Sequence, residues 1–260
     1  MGVTAASSHV SGSGRPAVRY GVPLVLGLGA LIGWWWSGRS AHDMGTSVMG
    51  DGMAGGSPMG LAAFLVAWLA MMTAMMLPAI TPVVKLYARA STQGRVAPLP
   101  FFVGGYLAVW TVLGVPAYFA WRWLDMPLSD GAAWAGRLAG GVLVGAGLWQ
   151  LTPLKDICLR HCRSPMSFFL RHGRRLEQPV GAARMGAFHG LFCLGCCWAM
   201  FAILVAIGTM NIGWMLALTA LIVAEKTFPR GNRIALAAGV VFVTLGVLLV
   251  ASPATIARMT

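Results

Sequence analysis

Sulfur and imidazole gather in one stretch of the chain, Met185 to Met200. It reads Met-Gly-Ala-Phe-His189-Gly-Leu-Phe-Cys193-Leu-Gly-Cys196-Cys197-Trp-Ala-Met200 and holds three of the five cysteines. On a helix, at about 100° per residue, His189, Cys193, Cys196, Cys197 and Met200 fall within an arc of roughly 100°. Thiolate, thioether and imidazole are ligands for soft metal ions. A core of small, adaptable side chains produces the same stripe, so packing is the competing reading. A Cys3His set would suit structural Zn(II), which wants four tetrahedral ligands. Cys196 and Cys197 are adjacent, however, and adjacent helical residues point about 100° apart. One tetrahedral ion would therefore need a local break in the helix, for which Gly195 is the candidate. Cu(I) fits better than Zn(II), with the site centred on His189, Cys193 and Cys196.

Three further groups carry the same chemistry. Trp68, Met72, Met75 and Met76 share one helical face, with Met71 at its edge. A methionine stripe is ordinarily packing. It gains weight only if its helix lies beside the cysteine helix, where Met72 or Met76 would complete the site. Cys158, His161 and Cys162 stand at i, i+3 and i+4 between Arg160 and Arg163. Neighbouring guanidinium groups are expected to lower the thiol pKa values and raise reactivity, as at a metal access or exit point. A basic amphipathic helix with buried thiols is the alternative. Arg39 to Met59 is a polar, Gly-rich segment with His42, Met44, Met49, Met53 and Met59. Thioethers on a flexible loop suit Cu(I), and a linker with chance methionines suits the sequence equally. Glu225 and Lys226 read as an interface pair closing a helix.

These groups need a scaffold, and the composition says which kind. The chain is 58% hydrophobic and 10% charged over 260 residues, which is the balance of a polytopic membrane protein. Spans are expected at 21–36, 61–84, 100–121, 134–151, 185–207, 212–224 and 234–250. The second holds Pro78 and Pro82, which remove backbone donors and favour a kink. The fourth holds Gly136, Gly140, Gly141, Gly145 and Gly147, which would let a neighbouring helix come close. The uncharged run 185–224 would be about 60 Å long as one helix, twice the hydrocarbon thickness, so it must fold into two. The expected architecture is all-α, a seven-span helical bundle over 21–251. A disordered cytoplasmic tail (1–20) precedes it and a short tail (252–260) follows. The Met-rich segment 39–59 would lie outside, and the basic loop 153–184, opening on a short amphipathic helix at the surface, would lie in the cytoplasm. Fifteen of the 19 Lys and Arg then fall on the cytoplasmic side, with the N-terminus inside. That bias explains the +12 charge without a nucleic-acid partner. Cys193 and Cys196 come to lie about 12 and 17 Å into the membrane, and Met72 about 17 Å in from the other face.

Signatures of other chemistries are missing. The sequence has no phosphate-cradling Gly-Lys-Ser/Thr loop, nucleotide fingerprint or His-Glu-x-x-His helix. Nor does it have a Gly-x-Ser-x-Gly elbow. Four motifs together carry a family resemblance. They are Trp68-Leu-Ala-Met71-Met72-Thr-Ala-Met75-Met76-Leu-Pro78, Gln150-Leu-Thr-Pro153-Leu-Lys155, Cys158-Leu-Arg-His161-Cys162-Arg-Ser-Pro165 and His189-Gly-Leu-Phe-Cys193-Leu-Gly-Cys196-Cys197-Trp198. Over about residues 40–250 the chain resembles a bacterial family of uncharacterised, predicted metal-binding integral membrane proteins, sometimes labelled copper chaperones. The resemblance implies the inner membrane and a bound metal. The leading expectation is Cu(I) handling or delivery in the bilayer, with a protein partner in delivery. Its rivals are a membrane copper or thiol oxidoreductase, and a metal-free subunit whose Cys and Met are packing.

Overall fold

The computed structural model describes residues 20–50, 60–92, 97–129, 133–163, 177–207 and 212–251. Residues 1–19 and 252–260 of the expected tails, 164–176 of the basic loop and the link 208–211 within the uncharged run lie outside them, as does 51–59 of the Met-rich segment. Among the described residues there is no strand. The helices are α1 (Val22–Gly50), α2 (Leu61–Thr92), α3 (Leu99–Ser129), α4 (Ala133–Gln150), α5 (Pro153–Arg163), α6 (Pro179–Ile207), α7 (Ile212–Thr227) and α8 (Gly231–Ala251). Among the described residues four stretches are long and apolar enough to cross a membrane: Leu61–Ser91, Leu99–Trp123, Pro179–Ala206 and Gly231–Ala251. That is the helix content of a membrane protein. The apolar windows of α2 and α6 are 56% and 50% buried, against 28% for α3 and α8. The two sulfur-bearing helices are therefore the inner ones.

Helices outrun the spans expected of them. α1 continues to Gly50, so 39–50 is helical backbone rather than loop. No proline interrupts the chain between Pro23 and Pro58, and polar side chains do not stop a helix. α6 begins at Pro179, six residues before the uncharged run, with proline at the first helical position where its missing N–H costs nothing. α2 stays helical through Pro78 and Pro82.

α5 is the element that the basic loop conceals. Thr152 Oγ1 accepts from Lys155 N at 3.3 Å, capping the helix ahead of Pro153. Asp156 lies in its first turn and Arg160, His161 and Arg163 in its last, as the helix dipole favours. It does not simply lie on the surface. Lys155, Leu159 and Cys162 form one buried face, and α5 packs on α6 and α7.

Close approach of backbones fixes α3 against α6. A Cβ at Gly105 would sit on the Ala183 carbonyl, and one at Gly186 on the Phe102 carbonyl. Gly140 and Gly147 of α4 face Gly246 and Gly239 of α8 in the same way, whereas Gly141 and Gly145 face open space. Gly186→Ala is expected to force α3 and α6 apart and to cost about 1–3 kcal/mol. Thermal unfolding in detergent reads it, and Gly145→Ala, with nothing within 4 Å of the added methyl, should leave the midpoint unchanged.

Candidate metal centre

The α3–α6 contact brings Tyr106 onto Cys193, with Oη and Sγ 3.1 Å apart. Lys226 of α7 donates from Nζ to the same sulfur at 2.9 Å. Met76 of α2 places Sδ 3.9 Å from it. One turn along α6, Cys196 Sγ lies 3.7 Å from Cys162 Sγ on α5. Two sulfurs on one tetrahedral ion with bonds of about 2.3 Å would be about 3.8 Å apart. Cys193 and Cys196 are 0% and 2% exposed. Five helices thus converge on one dry sulfur cluster. α2 and α6 reach each other through side chains here, and again where the Trp68 and Phe201 rings lie 6.4 Å apart.

The remaining candidates are dispersed around this cluster. His189 is buried between the rings of Phe102 and Tyr106, at 6.1 and 6.0 Å. Its Nε2 has no hydrogen-bond partner. Cys197 turns back on its own helix and donates to Cys193 O at 2.7 Å. Met72 and Met75 are fully buried in the surrounding core. Among the described residues no group of three or more His, Cys, Asp or Glu is arranged to hold a metal ion by itself, so the Cys3His zinc set does not form. Gly195 provides no break, because α6 is continuous. It provides room: a Cβ there would lie 2.8 Å from Cys158 Sγ. Its carbonyl accepts from Trp149 Nε1 at 3.1 Å.

The Cys158 group divides in two. Cys158 and Cys162 face α6, while His161 stacks on Phe192 at 4.6 Å and holds Ile157 O through Nδ1 at 2.8 Å. The arginines do not activate Cys158. Arg160 pairs with Asp156 and Arg163 donates to Phe228 O. Burial, and then Cys196, push the Cys158 thiol up instead. His42 and Met44 lie on the helical backbone of α1, and their side chains fall outside the described residues.

A family match covers residues 65–249, under the description PpoB2, copper chaperone. The chain belongs to this copper-chaperone family. No curated protein and no solved structure matches it. The matched span includes every residue of the cluster, and the chemistry of its donors fits copper. Thiols and a thioether are soft, and Cu(I) is the soft ion among common metals. The unpartnered Nε2 of His189 is a buried polar nitrogen whose desolvation no hydrogen bond offsets.

Tyr106 and Lys226 are the members of the cluster that sequence reasoning missed, Tyr106 altogether and Lys226 by reading it as the partner of Glu225. Lys226 does not pair with its neighbour Glu225. That carboxylate takes Lys155 Nζ on Oε2 at 2.7 Å and Gln150 Nε2 on Oε1 at 3.0 Å. Adjacent helical residues point about 100° apart, so Lys226 faces α6 while Glu225 faces α5. The available signal was a lysine near the end of an apolar helix, which must find an anion or a strong acceptor when buried.

Proposed function

We propose that the chain handles Cu(I) inside a membrane, receiving it as cargo and passing it to a protein partner. The reading takes seven spans in the bacterial inner membrane, with the N-terminus in the cytoplasm. Positive residues concentrated in alternate connections support that orientation. The observation that carries the function is the merging of two distant cysteine groups, with Cys162 Sγ 3.7 Å from Cys196 Sγ beside Cys193 and Met76. Packing alone does not call for thiols from two helices to meet in a dry interior. The Cys162–Cys196 pair is the preset part of the site. Cys193 is not arranged with it as a three-cysteine site before the ion arrives, and would close onto the ion on binding, with Met76 and His189 as neighbouring donors. Cys158, half-buried beside them, would be the next ligand outward, and the methionines of 39–59 the first on the opposite face.

The test is metal analysis of the purified full chain after loading with Cu(I) under a reductant. The wild type is expected to keep stoichiometric copper through desalting, and Cys193→Ser to lose most of it. A wild type that retains no copper, or a Cys193→Ser chain that retains it all, would sink the reading.

A further inference from the structure

Lys226 has no counterpart in a plain sulfur site. It is 9% exposed, and its ammonium sits 2.9 Å from Cys193 Sγ. The nearest carboxylate in sequence, Glu225, has both oxygens engaged by Lys155 and Gln150. A cation held this deep is costly, and it is placed against the one sulfur that also meets Tyr106 and Met76. For protein stability alone a Met or Leu at 226 would serve better.

We infer that Lys226 sets the charge selectivity of the centre, favouring a monovalent soft ion beside Cys193 over a divalent one. This rests on the copper reading above. An ion bound to Cys193 would lie about 4–5 Å from the ammonium. Repulsion from the fixed charge is twice as large for a dication as for a monocation, whatever the number of thiolates. At an effective dielectric of about 20 the extra repulsion corresponds to a discrimination of roughly several hundredfold. Thiolates bind Zn(II) well by themselves, so a Cu(I) carrier needs a device against it. A buried lysine is such a device, because it works against the competitor more than for the cargo.

The experiment loads full-length protein with Cu(I) and Zn(II) in competition and measures both by mass spectrometry. Lys226→Met and Lys226→Gln remove the charge and are expected to raise the bound Zn/Cu ratio by roughly several hundredfold. Lys226→Arg keeps the charge and should keep the wild-type ratio. Should the neutral variants fail to fold, the wild type is offered Ag(I) and Cd(II), two thiophilic ions that differ in charge. Ag(I) uptake with Cd(II) excluded supports the inference. An unchanged Zn/Cu ratio in folded neutral variants, or equal uptake of Ag(I) and Cd(II), overturns it and leaves the copper reading standing. A wild type that takes up neither Cu(I) nor Ag(I) overturns both.

Discussion

Cys162→Ser and Cys196→Ser should each weaken Cu(I) binding by a hundredfold or more, about 2.7 kcal/mol. The double variant should be little worse than either. The two residues lie 34 apart in sequence, on α5 and α6, with sulfurs 3.7 Å apart. If both bind one ion, the first substitution already removes the shared interaction, and the second has little left to remove. Competition with a Cu(I) chelator of known affinity reads all four proteins. Additive losses would mean two independent sites, and no loss would mean that the thiols are packing. Cys197→Ser is the control. Its thiol donates to the Cys193 carbonyl at 2.7 Å, as Cys196 does at 3.1 Å, but it is Cys196 that meets the Cys162 sulfur. A serine hydroxyl at 197 makes the same carbonyl bond, so affinity should stay within about threefold.

This pairing shows what the sequence makes legible and what it does not. The stripe of α6 is readable because 3.6-residue periodicity puts Cys193 and Cys196 on one face. Their burial follows from the uncharged run around them. Which helix faces that stripe is tertiary information. Met76 and Cys162 lie 117 and 34 residues from their partners Cys193 and Cys196, and no periodicity links them. Gly105 and Gly186 decide that α3 is the close neighbour of α6, yet they are indistinguishable in sequence from glycines that face open space. The ends of the apolar runs mislead in a consistent direction. Charged residues end a hydropathy signal but not a helix, so Arg184 and Lys226 are helical residues outside the spans read from hydropathy. The Glu225–Lys226 dipeptide misleads for the complementary reason. Neighbours in sequence point about 100° apart on a helix, and each finds its partner on another element.

A buried ion pair holds α5 in place, and it supports the second large prediction. Lys155 and Glu225 have side chains 1% and 3% exposed. Such a pair offsets its desolvation only when the remaining lone pairs are satisfied, as Gln150 does here on Oε1. Lys155→Met strands the Glu225 carboxylate and is expected to cost about 3–5 kcal/mol. At about 2–4 °C per kcal/mol, the melting midpoint in detergent should fall by roughly 10 °C. The double variant Lys155→Met with Glu225→Leu removes both charges and should recover most of that loss, because two apolar side chains of similar volume leave no orphan charge. A single variant no less stable than the double would mean that the pair is not buried against α7. Copper retention adds a second readout. Cys162 is on the same helix face as Lys155, so a stranded Glu225 that expels α5 also withdraws a thiol from Cys196. The single variant should then lose copper along with stability. The double variant, with α5 docked through apolar contacts, should keep it. Copper binding would thus follow the seating of α5 and not the charges that seat it.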